Sequence, residues 1–115
     1  MSISTHVLDI AAGRPAADVV VRLFSLRDAA ADGVWEQIGS GRTDRDGRCR
    51  TLLGDSPLAA LTYKIRFETG EYFHKRGLAG LYPYIEIVFT VAAPSQHYHI
   101  PLLLTANGYT TYRGA

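Results

Sequence analysis

Alternation of apolar and polar side chains is the dominant pattern in the chain. Over Tyr84 to Val91, Ile85, Ile87, Phe89 and Val91 fall on one face, while Tyr84, Glu86, Val88 and Thr90 fall on the other. That period of two predicts a half-buried strand. Tyr63, Ile65 and Phe67 alternate with Thr62, Lys64 and Arg66 in the same way, and further strands are expected over Val19 to Ser25 and Val34 to Gly41. Ser4 to Asp9 alternates more weakly and is expected as a first strand, and the run Ile100, Pro101, Leu102, Leu103, Leu104 has a buried character. Turn chemistry separates these segments at Asp32-Gly33, Asp46-Gly47, Gly54 to Pro57, Pro94-Ser95 and Asn107-Gly108. Short alternating strands with frequent turn signals predict an all-β, antiparallel sandwich or barrel. Glu71 to Arg76, set between Gly70 and Gly77, lacks the alternation and is expected as one short helix.

Composition narrows the class of function. The 115 residues are expected to form a single domain, 1–115, large enough for one core without disulfides or a structural metal. The Ala-rich loop near Asp28 to Gly33 is too short for an interdomain linker. Twelve Lys plus Arg oppose eleven Asp plus Glu, a balance that argues against a nucleic-acid partner. No apolar run approaches the roughly 20 residues needed to cross a bilayer, and Asp9 and Arg14 interrupt any early leader-like segment. With Cys49 the only cysteine, nothing points to an oxidising compartment, so a cytoplasmic location and no membrane association are expected.

Candidate chemistry lies in segments far apart in sequence. His6 shares a strand face with Leu8, so it is either a sheet histidine satisfied by a backbone group or a pocket histidine handling a proton near neutral pH. In Thr43, Asp44, Arg45, Asp46, Gly47, Arg48, the Asp-Gly pair makes an ordinary turn; Arg48 beyond it is either solvated or aimed inward to hold a carbonyl or a developing anion. Arg45 and Arg50 are expected as surface charges. His97 and His99, two apart, share a face, which is compatible with a metal; without further ligands of the Cys-pair or His-Glu kind, a proton-handling His99 in the same cavity as His6 is favoured. The C-terminal stretch from His99 to Ala115 carries Tyr109, Tyr112 and Arg113 directly after the apolar run and is expected to be docked rather than frayed. Tyr112 either anchors that stretch or closes a small-molecule pocket.

Four strings in order, THVLD, TDRDGR, HYHIPLLL and YRGA, resemble the 5-hydroxyisourate hydrolase family of transthyretin-related proteins, and the resemblance covers essentially the whole chain. It implies a transthyretin-like two-sheet antiparallel β-sandwich with one short helix. It also implies hydrolysis of 5-hydroxyisourate to 2-oxo-4-hydroxy-4-carboxy-5-ureidoimidazoline without metal or organic cofactor. The implied assembly is a homotetramer with its sites where two dimers meet.

Carried over residue by residue, the resemblance assigns catalysis to His6, Arg48 and His99, and substrate binding to His6, Arg48, Tyr112, Arg113 and Gly114. The family pattern ends in YRGS, whereas this chain ends in Ala115, and the preceding Thr105, Ala106, Asn107, Gly108 also departs from it. The missing serine removes a hydroxyl that could orient water or substrate. The alternative is a transthyretin-like carrier that holds an aromatic ligand without hydrolysing it.

Overall fold

A computed structural model describes residues 2–27, 33–50, 52–54 and 57–115. The Ala-rich loop up to Asp32 and the Asp55-Ser56 part of the Gly54 to Pro57 turn lie outside the described residues. The elements in chain order are β1 (Ser2–Asp9), β2 (Arg14–Pro15), β3 (Val20–Arg27), β4 (Val34–Arg42), β5 (Arg48–Cys49), β6 (Thr62–Phe67), α1 (Thr69–Lys75), β7 (Ile85–Thr90), β8 (His97–Leu104) and β9 (Tyr109–Thr111). They form two sheets, one ordered β4-β3-β6-β7 and the other β2-β1-β8-β9, with β5 also paired to β1.

Period-two patterning puts one face of each sheet into the shared core. Ile3, Val7, Val21, Leu23, Ile65, Phe67, Leu102 and Leu104 are completely or almost completely buried between the sheets. Truncating any such Leu or Ile to Ala costs about 2–5 kcal/mol, the lost transfer energy plus the cavity left behind. In β1 the inward set is Ile3, Thr5, Val7 and Asp9, which leaves Ser2, Ser4, His6 and Leu8 on the outer face. In β8 the inward set includes Tyr98, Ile100, Leu102 and Leu104, leaving His97 and His99 outward.

The two central strands of this sheet, β1 and β8, run parallel, with Ser2 beside His97, Ser4 beside His99 and His6 beside Pro101; the other strand pairs are antiparallel. A parallel pair needs a long return. Here the chain makes that return by building the whole second sheet and α1 between β1 and β8.

The helix begins at Thr69, two residues before the sequence pattern suggests, and it includes Gly70. The Gly70 N–H, one of the donors a helix start leaves unpaired, finds the Pro83 carbonyl at 3.0 Å. From this helix the Tyr72 hydroxyl donates to the buried Asp9 carboxyl at 2.8 Å, pinning α1 to the end of β1. Burial and then this bond push the Tyr72 hydroxyl up to about 12.

Candidate active site

The outer face of the β1-β8 sheet carries a cavity of about 410 Å³ lined by Ser2, Ser4, Arg48, Arg50, His97, His99 and Ala115, with Thr5 at its floor. Strand register assembles it. β5 pairs with β1 so that Arg48 faces His6, and carrying that register back one residue from Cys49 and Thr5 brings Arg50 beside Ser4. On the other side of β1, Ser4 pairs with His99, and His99 pairs in turn with Gly114 through a bridge in which the Gly114 N–H donates to the His99 carbonyl at 2.8 Å.

The loop that delivers Arg48 is fixed by its own side chains. Asp44 accepts the backbone N–H groups of Asp46 at 2.9 Å and Arg48 at 3.0 Å, the Asx-type arrangement that competes with extended pairing. The Arg48 bond, then that from Asp46 and the nearby guanidiniums of Arg50 and Arg48, outweigh partial desolvation and hold the Asp44 carboxyl below its ordinary value. Gly47 turns the chain at φ +77°, and a Cβ there would lie 2.3 Å from the Val7 carbonyl oxygen. The same Gly47 carbonyl accepts the Val7 N–H at 2.7 Å, so loop and strand are tied directly.

His6 donates Nε2–H to the Asp46 carbonyl at 2.8 Å, because a carbonyl oxygen can only accept. Of the two sequence alternatives for His6, the geometry shows the histidine satisfied by a backbone group. The backbone satisfies one ring nitrogen, while the imidazole is close enough to act electrostatically on His99. His99 is half-buried, and its Nδ1 lies 2.8 Å from the Ser4 hydroxyl. Burial first, and then the charges of His97, Arg48 and His6, hold the His99 imidazole below its ordinary value, which favours the neutral ring. Gly114 packs against that ring so closely that a Cβ would come within 2.5 Å of His99 Cδ2.

Not every residue singled out in the sequence reaches this cavity: His6, expected to share it with His99, is not part of its lining, because its ring is held by the Asp46 carbonyl. Tyr112 and Arg113 line a second, more apolar cavity of about 250 Å³ with Ile87, Phe89, Thr90, Tyr98, Ile100 and Thr111. Arg113 lies 4.2 Å over the Tyr98 ring and donates to Gln96 at 2.8 Å, while Tyr112 is 55% exposed. Arg50, expected as a surface charge, is exposed but also forms part of the first cavity's wall. The reason is the sheet register, which the isolated string does not reveal. Ser2 and Ser4 join the site unannounced, although the period of two places both on the outer face with His6, and His97, considered in the sequence only as a metal ligand, lines it beside His99.

His99, whose imidazole is held toward its neutral form, the Arg48 guanidinium and the His97 imidazole around one cavity make a site able to accept a proton and hold a developing anion. The family model for HIUase/Transthyretin matches residues 3–114. The chain belongs to that family. Among its relatives, 5-hydroxyisourate hydrolase of Mus musculus is 42% identical over 98% of this chain and 94% of its own length. The structure of Klebsiella pneumoniae 5-hydroxyisourate hydrolase superposes with a TM-score of 0.84 at 32% identity, covering 99% of this chain and 98% of that one. Sea bream transthyretin in complex with thyroxine superposes with a TM-score of 0.90 at 30% identity, covering 100% and 96%. The HIUase/Transthyretin fold is thus shared by hydrolases and a thyroxine-binding protein, and the side chains in the cavity, not the sandwich, must decide between those activities.

Proposed function

We propose that the chain hydrolyses 5-hydroxyisourate to 2-oxo-4-hydroxy-4-carboxy-5-ureidoimidazoline. The observation that carries this reading is the convergence of His99, held toward its neutral form, and Arg48 on the wall of one cavity. A cavity of about 410 Å³ is within the range that takes a small ring compound. The names and similarity of the mouse and Klebsiella relatives favour the same reaction.

His99 is the proposed base. With Nδ1 occupied by Ser4, its Nε2 is the ring nitrogen left for a water molecule in the cavity. Water oxygen bonds to the carbonyl carbon of the six-membered ring, and one water proton passes to His99 Nε2. The carbonyl oxygen becomes an anion that the Arg48 guanidinium stabilises. Collapse of this tetrahedral centre breaks the carbon–nitrogen bond, and the His99 proton passes to the leaving nitrogen. His6, tied to Asp46 and facing Arg48 across the strand pair, positions substrate and water beside that guanidinium. No organic cofactor or metal takes part in this scheme.

Tyr112, Arg113 and Gly114 are proposed to bind substrate in the assembled protein. Gly114 acts here by packing on His99. Tyr112 and Arg113 act when a second copy covers the outer sheet face. The supporting arrangement is a homotetramer with sites where two dimers meet, which accounts for a polar cavity on an outer face with the exposed Tyr112 nearby in sequence. A cytoplasmic location fits a chain whose single cysteine, Cys49, is buried.

The carrier reading draws on the similarity to thyroxine-bound transthyretin and on the apolar cavity beside Tyr98 and Tyr112. The experiment that separates them generates 5-hydroxyisourate with urate oxidase and follows its decay with and without the chain. Acceleration proportional to enzyme concentration is expected; decay at the buffer rate, with binding alone, favours the carrier.

A further inference from the structure

Outside the residues assigned above, a chain of hydrogen bonds leads away from His99. The Ser4 hydroxyl lies 2.8 Å from His99 Nδ1 and 2.9 Å from His97 Nε2, and Ser2 Oγ contacts His97 Nδ1. The two imidazoles are nearly parallel, at 17°, with centroids 6.4 Å apart. Ser4 is 8% exposed, whereas His97 is open to solvent. The parallel pairing of β1 with β8 produces the arrangement, because it sets Ser4 beside His99 and Ser2 beside His97 on one face.

A hydroxyl has one proton, so Ser4 donates to one imidazole and accepts from the other. For His99 to present a bare Nε2 to water, its proton must sit on Nδ1 and point at Ser4 Oγ. Ser4 then donates to His97 Nε2, and His97 Nδ1–H donates to Ser2. Hydrogen bonding on one ring nitrogen sets which tautomer the other presents.

We infer that Ser4 and His97 are positioning residues that hold His99 in the Nδ1–H tautomer and carry its positive charge one ring further out during hydrolysis. When His99 Nε2 takes the water proton, the Nδ1 proton passes to Ser4 Oγ as the Ser4 proton passes to His97 Nε2. The imidazolium thus resides on His97. On collapse of the tetrahedral centre the same two protons return as His99 Nε2–H is given to the leaving nitrogen, and no net charge is left behind. The gain is electrostatic. The groups acting on His99 are His97 on its own strand, Arg48 from β5 and His6 from β1, with Arg50 also on the cavity wall; a cation at the half-buried His99 next to Arg48 is unfavourable, and one at exposed His97 is solvated.

This inference rests on the hydrolase reading, with His99 as base. Its test compares the parent with Ser4→Ala, Ser4→Thr and His97→Phe for hydrolysis of 5-hydroxyisourate, and determines the His99 tautomer from the ¹⁵N imidazole signals of the labelled protein at neutral pH. Expected are a kcat lower by about 10-fold or more in Ser4→Ala and His97→Phe with KM nearly unchanged, and recovery in Ser4→Thr. The parent should show His99 as Nδ1–H and Ser4→Ala should show Nε2–H. The tautomer is read in the parent, so it decides the matter even where a variant fails to fold. A parent with His99 as Nε2–H, or parental kcat in both Ser4→Ala and His97→Phe, overturns the relay while leaving hydrolysis intact. A parent that does not hydrolyse 5-hydroxyisourate overturns the hydrolase reading and the relay's catalytic role with it.

Discussion

His6 and Arg48 stand directly opposite each other on the antiparallel pair β1 and β5, although the chain builds β2, β3 and β4 between them. This pairing sets Arg48 on the cavity wall, with His6 next to it across the strand pair but outside the lining. If the guanidinium faces the oxyanion, Arg48→Ala lowers kcat by about 10²-fold or more, because the anion loses its preorganised donor. Arg48→Lys recovers only part of this, since a point charge replaces a planar fork. Steady-state kinetics of the two variants check both statements.

The delivery of Arg48 depends on Gly47. Gly47→Ala places a Cβ 2.3 Å from the Val7 carbonyl oxygen in a backbone conformation with φ +77°, so the loop must move away from β1. The expected cost is about 1–3 kcal/mol, read as a lower denaturant midpoint. Activity should fall with it because Arg48 is the next residue. A variant with the parental midpoint and parental kcat would mean that the loop geometry is not required.

The acid limb of the kcat/KM profile should lie below pH 6.5, the ordinary imidazole value, because burial, then His97, Arg48 and His6, keep His99 neutral. The sign for stability follows from the same shift. Between the folded and unfolded values the unfolded chain binds the extra proton, so the contribution of His99 is whole above about pH 6.5 and is lost as pH falls toward the folded value. His99→Gln removes that part of the slope, and unfolding midpoints over an acid pH series measure it.

Tyr72→Phe removes the donor to Oδ2 of the buried Asp9 carboxyl, whose Oδ1 keeps the Ala12 N–H, on the opposite face of β1 from the cavity. Leaving a buried polar group unsatisfied costs about 1–3 kcal/mol. Thermal unfolding should show a lower midpoint, while kcat stays near that of the parent.

Much of this molecule is legible from the period of two. Thr62 to Phe67 and Ile85 to Thr90 fall where alternation puts them, and the same alternation places His97 and His99 on one face. The two-residue strands Arg14–Pro15 and Arg48–Cys49 are too short to show a period, yet together they cover the edge of β1 away from β8. The parallel pairing of β1 with β8 is equally hidden, because neighbours along the sequence give no sign of it. That pairing brings Ser4 to His99 and creates the Ser2-His97-Ser4-His99 chain. Tyr112 and Arg113 were expected beside the histidines from their place in the terminal motif. Within one chain Arg113 instead packs on Tyr98, and both residues line the apolar cavity.

The His99–Arg48 cavity is proposed to open the six-membered ring of 5-hydroxyisourate. The most direct measurement of this is the decay of freshly generated substrate in the presence of the parent chain and of His99→Gln, both verified as folded. The parent is expected to accelerate the decay in proportion to its concentration, and His99→Gln to lose about 10²-fold or more of that rate. Equal acceleration by both would rule out His99 as the base, and none by the parent would rule out hydrolysis in this cavity.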